Sequence, residues 1–129
     1  MELQTNMVGW FEIPVQDMER AMAFYQKVFQ IEFNRQKMEE FDMAWFPWKE
    51  GIEGSPGSLV AMYNYYKPSQ DGVLIYFNSL EGDLSKELSR VVDAGGEVIQ
   101  EKQEISPEIG YMGLFIDSEG NRIALHSRQ

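Results

Sequence analysis

The residues best suited to chemistry lie in short segments of alternating polarity. Glu12 stands between Trp10 and Pro14 in the run Val8-Gly9-Trp10-Phe11-Glu12-Ile13-Pro14-Val15. A carboxylate on an otherwise apolar wall is poorly hydrated. It can move a proton on a substrate or pair with a cationic ligand, or it can make a structural hydrogen bond to Tyr76, Arg122 or backbone amides. His126, the only histidine, lies three residues from the C-terminus. It is a second candidate acid or base near neutral pH, with a hydrogen-bonded rim residue as the plainer reading. Trp10, Trp45 and Trp48, with Tyr63, Tyr65, Tyr66, Tyr76 and Tyr111, can stack on a flat ligand, although aromatics on strands also pair across a sheet.

Other chemistries are absent. With no cysteine there is no disulfide, no thiolate metal site and no thiol nucleophile. No Ser-His-Asp arrangement, phosphate-cradling glycine loop or nucleotide fingerprint occurs. The formal charge of −10 opposes nucleic acid and anionic membrane surfaces as partners, and favours a cationic one. No apolar run reaches the ~18 residues of a membrane span, and the N-terminus shows no basic region followed by an apolar stretch. A cytoplasmic protein is expected. Hydrophobic residues at 43% of the 129 positions suffice for one core without covalent staples, and the eight methionines suit irregular core volume.

The elements that position these residues follow from periodicity. Phe11, Ile13 and Val15 alternate onto one face of a strand over 8–15. Asp17 can cap a helix whose apolar stripe is Met18, Ala21, Met22, Tyr25, Val28 and Phe29. Strands are expected at 32–36, 41–48 and 57–65, with a loop between the last two. After the connector at 66–72 the order repeats. A strand at 73–78 precedes a helix carrying Leu84, Leu88, Val91 and Val92, stopped at Gly95-Gly96. Strands follow at 97–104, 111–116 and 122–127. The turn Asp117-Ser118-Glu119-Gly120-Asn121 joins the last two. The acidic run Glu101-Lys102-Gln103-Glu104 suits a solvated sheet edge. Trp10 and Leu74 are 64 positions apart, and Met18 and Leu84 are 66 apart. This is one βαβββ unit written twice, an α+β architecture, with module one at about 7–66 and module two at about 72–127 of a single domain over 1–129.

The run Val15-Gln16-Asp17-Met18-Glu19-Arg20-Ala21, followed by Phe24-Tyr25, resembles the opening helix of the glyoxalase/bleomycin-resistance/dioxygenase (vicinal oxygen chelate) superfamily. The run Asp117-Ser118-Glu119-Gly120-Asn121-Arg122-Ile123 resembles its closing hairpin. The connector Pro68-Ser69-Gln70-Asp71-Gly72 and the helix end Ala94-Gly95-Gly96 are also similar. Gln30 departs from the pattern, where a helix-ending glycine is usual. The resemblance implies curved mixed sheets around a cup that holds the ligand, and a homodimer. In metal-dependent members a divalent ion in the cup acts as a Lewis acid. The ligand positions implied by the resemblance fall on Trp10, Leu74 and Ala124, and a fourth, near residues 59–63, does not align. None of the three can ligate, so no metal and no cofactor are expected.

Alternation then assigns the cup. Val73, Ile75 and Phe77 should pack on the helix, leaving Leu74, Tyr76 and Asn78 for the cup. Ile123 and Leu125 are core, leaving Arg122, Ala124 and His126. All of these but Arg122, together with Trp10, Glu12 and Tyr111, form the candidate ligand-binding set, an aromatic cup with a few polar groups. The leading expectation is a metal-independent protein that binds a small organic molecule, cationic or planar, similar in kind to the bleomycin-resistance members. The alternative is a glyoxalase-like lyase or isomerase using Glu12, with His126 as a further catalytic candidate. A third is a structural module whose cup is filled by its own side chains.

Overall fold

The computed structural model describes residues 2–62 and 66–129. Its elements run β1 (Phe11–Pro14), α1 (Met18–Phe29), β2 (Asn34–Lys37), β3 (Asp42–Trp45), β4 (Gly57–Ala61), β5 (Ile75–Asn78), α2 (Leu84–Leu88), α3 (Val91–Ala94), β6 (Glu97–Ser106), β7 (Gly110–Ile116) and β8 (Arg122–Ser127). They build two four-stranded mixed sheets, ordered β1-β4-β3-β2 and β5-β8-β7-β6. In each, the first strand pairs in parallel with the last, and the other pairings are antiparallel. The repeated unit is therefore real in topology. β1 and β5, its two first strands, are both free sheet edges. No helix among the described residues is long and apolar enough to cross a membrane.

Local sequence explains the helices. The Asp17 carboxylate accepts from the Arg20 backbone N–H at 3.0 Å and starts α1. The stripe then buries Met18, Ala21, Phe24, Tyr25, Val28 and Phe29. Gln30 adopts the left-handed cap conformation, φ 58°, that a glycine would take more easily. The single helix expected in the second module is two short ones. The chain turns at Ser89, whose hydroxyl donates to the Lys86 carbonyl at 2.6 Å. After this break Val91 is buried and Val92 faces solvent, contrary to its place in the expected stripe. Val73 is a second correction. It precedes β5 and is 92% exposed, while Ile75 and Phe77 do pack on the core. The strand expected over 57–65 runs to Ala61, and Tyr63 and Tyr65 lie outside the described residues.

One apolar cluster serves both modules. Phe77 of β5 packs its ring against Phe11 (5.6 Å between centroids), Phe29 (5.1 Å) and Phe46 (5.3 Å) of the first module. Gly57 makes room for this arrangement, since a Cβ there would fall 2.2 Å from the Phe11 ring.

Polar groups of the 117–121 turn complete the join. The Asp117 carboxylate accepts the buried Tyr25 hydroxyl at 2.6 Å. Burial, then the charge of Asp117, push the Tyr25 pKa well up, so the hydroxyl remains a donor. Asn121 donates to the Pro14 carbonyl (2.8 Å) and accepts from the Ser69 N–H (3.1 Å). Glu119 accepts from the N–H groups of Gln16 (2.8 Å) and Asp17 (2.9 Å) and from the Arg20 guanidinium (2.7 and 2.9 Å). Burial acts to raise the Glu119 pKa, but the hydrogen bonds from Arg20, Asp17, Gln16 and Ser118 outweigh it, and the net shift is downward.

A carboxylate with a lowered folded-state pKa stabilises the fold above its ordinary value and loses that contribution as pH falls through the folded value. Glu119→Gln should therefore lower stability at pH 7 by about 1–2 kcal/mol, set mainly by the two backbone amides because Arg20 is half exposed. The gap between variant and parent in denaturant melts should close as the pH drops below about 4. A gap independent of pH would contradict the ion-pair account.

Candidate functional site

Register brings specific side chains together on the sheet faces away from the helices. Across the first sheet, Glu12 of β1 lies opposite Ser58 of β4, and Ser58 lies opposite Trp45 of β3. Across the second, Tyr76 of β5 lies opposite Ala124 of β8, which lies opposite Leu114 of β7. The next row is Asn78, His126 and Met112.

A cleft of about 750 Å³ opens along the two free edges, β1 and β5. Trp10, Glu12, Leu74, Tyr76 and Asn78 all line it, so the structure brings together five of the residues expected in the cup. Its base is aromatic, from Phe11, Phe29, Phe46 and Phe77. Its outer wall is the loop over 47–55, which adds Trp48, Lys49, Ile52 and Glu53. Trp48 was legible only as one aromatic among several, because nothing local says that its loop folds over β1.

Three expected residues are not part of this cleft. Ala124 is fully buried between its in-register neighbours Tyr76 and Leu114. His126 sits beyond the cleft, with Nε2 2.6 Å from the Ile109 carbonyl oxygen. A carbonyl can only accept, so Nε2 carries the proton of that bond. Tyr111 packs on the core side of β7, with the Lys102 ammonium 4.5 Å above its ring. Tyr111 shares its face of β7 with Gly113 and the core residue Phe115, so strict alternation along that strand points it to the core and not to the cup.

Glu12 is the polar centre of the cleft. Oε1 accepts from the Tyr66 hydroxyl at 2.5 Å and Oε2 from the Trp10 indole N–H at 3.2 Å. The hydrogen bond to Glu12, with partial burial and the carboxylate charge, raises the Tyr66 pKa. Tyr66 belongs to the connector between the modules, 54 positions from Glu12, and no local pattern predicts that pairing. Beside Glu12, the rings of Trp10 and Trp45 meet edge to face at 84°, with centroids 6.1 Å apart. The Ser58 hydroxyl lies in the same row, fully buried and without a hydrogen-bond partner among the described residues.

The metal site implied by the resemblance can now be tested on its donors. Glu12 pairs with Ser58 as Tyr76 pairs with Ala124, and Glu12 and Tyr76 hold equivalent places in the repeat. Ser58 is thus the counterpart of Ala124 and occupies the fourth position, which sequence could not align. The set is an indole, an isobutyl group, a methyl group and a hydroxyl. These do not fit a divalent ion, which needs imidazole or carboxylate donors. Among the described residues no three His, Cys, Asp or Glu side chains gather elsewhere either.

Comparisons with known proteins agree with this architecture. Residues 8–46 match the family described as bleomycin resistance protein-like N-terminal. No curated protein matches the sequence. Among solved structures, a glyoxylase/bleomycin resistance protein/dioxygenase domain from Frankia sp. superposes with a TM-score of 0.74 at 16% identity, covering 98% of this chain and all of that one. An antibiotic-binding protein from a Streptomyces species gives 0.65 at 20% identity, covering 99% of this chain and all of that one. Glyoxalase I from Zea mays gives 0.67 at 16% identity over 92% of this chain, which spans only 45% of that enzyme's length. In its paired βαβββ modules and its matching N-terminal segment, the chain carries the fold of the glyoxalase/bleomycin-resistance (vicinal oxygen chelate) superfamily.

Proposed function

We propose that this protein binds a small organic molecule, planar or cationic, in the cleft between β1 and β5, without a metal ion. The observation that carries this reading is the convergence of exposed aromatic side chains from both modules, Trp10, Trp48 and Tyr76, around the carboxylate of Glu12. Such a site offers apolar area with a few orienting polar groups, the usual character of a small-molecule pocket. The likeness to an antibiotic-binding protein of the same size supports a binding role. The cleft is bordered by exposed Val8, Val73 and Leu80. A second copy of the chain, pairing as a homodimer in the cytoplasm, would cover that rim and enclose the ligand.

One observation favours a catalytic alternative. The 2.5 Å contact between the Tyr66 hydroxyl and Glu12 is a short, charge-assisted hydrogen bond. A carboxylate so placed can exchange a proton with a substrate carbon acid, as a lyase or isomerase requires. In that reading Tyr66 returns the proton and His126 stays outside the step.

Three outcomes test these readings. Ligands found by thermal-shift screening should lose about tenfold or more in affinity in Trp10→Ala or Tyr76→Ala, measured by calorimetry; unchanged affinity in both would move the ligand out of the cleft. After incubation with zinc, nickel, manganese or iron(II) and dialysis, elemental analysis should find far less than one metal ion per chain, and stoichiometric retention would overturn the donor assignment. If a turned-over substrate is found, Glu12→Gln should lower kcat by about 100-fold or more, and full turnover in that variant would remove Glu12 from the chemistry.

A further inference from the structure

Resting on the binding reading above, we infer that the corner formed by Trp10, Trp45 and Glu12 is a site for a methylated, preferably quaternary, ammonium group of the ligand. The two indoles meet edge to face at 84° and are 42% and 39% exposed, so both present indole surface to solvent beside Glu12. The aromatic quadrupole attracts a cation placed over a ring face, and exposed indoles with an acid beside them suit a methylated ammonium. The charge is right as well. The cleft lining carries Glu12 and Glu53 against Lys49, in a chain of net charge −10.

The hydrogen-bond inventory narrows the kind of cation. Both Glu12 oxygens already accept a donor, one from Tyr66 and one from Trp10. A guanidinium would have to share both oxygens with Tyr66 and Trp10 and leave its other N–H donors facing indole surface. A primary ammonium must place three N–H donors on leaving water. The corner offers it only the remaining Glu12 lone pairs and the Ser58 hydroxyl, which is sealed from solvent. A quaternary ammonium has no donors to satisfy. Its methyl groups lie on indole surface, and its charge is met by the ring faces and by Glu12. The Trp10 N–H and the Tyr66 O–H, spent on the carboxylate, present no positive hydrogen to repel it. Ser58 is the residue in register between Glu12 and Trp45.

Tryptophan fluorescence reads the site directly, because all three tryptophans, Trp10, Trp45 and Trp48, lie at it or on the cleft wall. The unmodified protein would be titrated with choline, with its uncharged tert-butyl isostere in which carbon replaces the ammonium nitrogen, with ethanolamine, and with neutral naphthol as a planar probe. Choline is expected to bind at least about tenfold more tightly than its isostere and than ethanolamine. That advantage should fall to about threefold or less in Glu12→Gln and in Trp45→Leu, with circular dichroism confirming that each variant is folded. Equal binding of choline and its isostere, or ethanolamine matching choline, would overturn the ammonium assignment. Naphthol binding that Trp10→Ala abolishes, with no choline binding, would overturn it while leaving the cleft as a ligand site. Failure of every probe to bind would count against both.

Discussion

The structure depends on how a second module is fastened to a first that shares no strand pairing with it. β1 and β5 are edges of separate sheets, so no backbone ladder crosses between them at the cleft. The turn over 117–121 supplies what is missing. Glu119 takes the free N–H groups at the start of α1, Asn121 takes the carbonyl at the end of β1, and Asp117 takes the Tyr25 hydroxyl inside the core. The backbone partners are groups that a helix start or a strand end leaves unpaired, and the third is a buried side-chain hydroxyl. One five-residue turn thereby fixes the position of both elements that carry the first half of the site. Phe77 does the same from the apolar side, reaching into an aromatic cluster otherwise built by module one.

This arrangement explains why the cleft lies where it does. A sheet edge with unpaired backbone groups invites association. Here both edges are only four residues long, and β1 ends in a proline, which limits pairing with another strand. The open space between them rests on the shared aromatic core. The base of the cleft is therefore packed core, and its rim is the 47–55 loop with the exposed side chains of Trp10, Trp48 and Tyr76. A ligand entering here meets a preformed floor, which lowers the ordering cost of binding.

How much of this is legible in sequence depends on range. Alternation in Phe11, Ile13 and Val15, the Asp17 cap and the three-and-four spacing of α1 are local, and they place Trp10 and Glu12 on the face opposite the helix. Duplication extends the same argument to Leu74, Tyr76 and Asn78. Long-range partnerships are different. Nothing near Glu12 names Tyr66, and nothing near Glu119 names Gln16, over 100 positions away. The turn at 117–121 is recognisable as a hairpin, but its service to the other module depends on tertiary placement. Val92 leaves the expected stripe because a break at Ser89 rotates the second helix, which period counting assumes does not occur. Tyr111 is different, because it alternates regularly with Phe115 onto the core face and its place in the cup has no support from the period.

The two modules have also diverged at equivalent places, and this gives the site a direction. Ser58 and Ala124 hold the same position in the repeat. In module two the methyl group of Ala124 is sealed between Tyr76 and Leu114, so that side of the cleft is formed by Leu74 and Tyr76. In module one the hydroxyl of Ser58 lies beside Glu12 and Trp45, which makes a polar, acidic corner. Two identical halves would present a symmetric cup, indifferent to which end of a ligand entered which half. The cleft therefore carries acid and indole on its β1 side and tyrosine and aliphatic surface on its β5 side. Trp10 and Leu74, which leave two of the four implied metal positions without a donor, are themselves part of that difference.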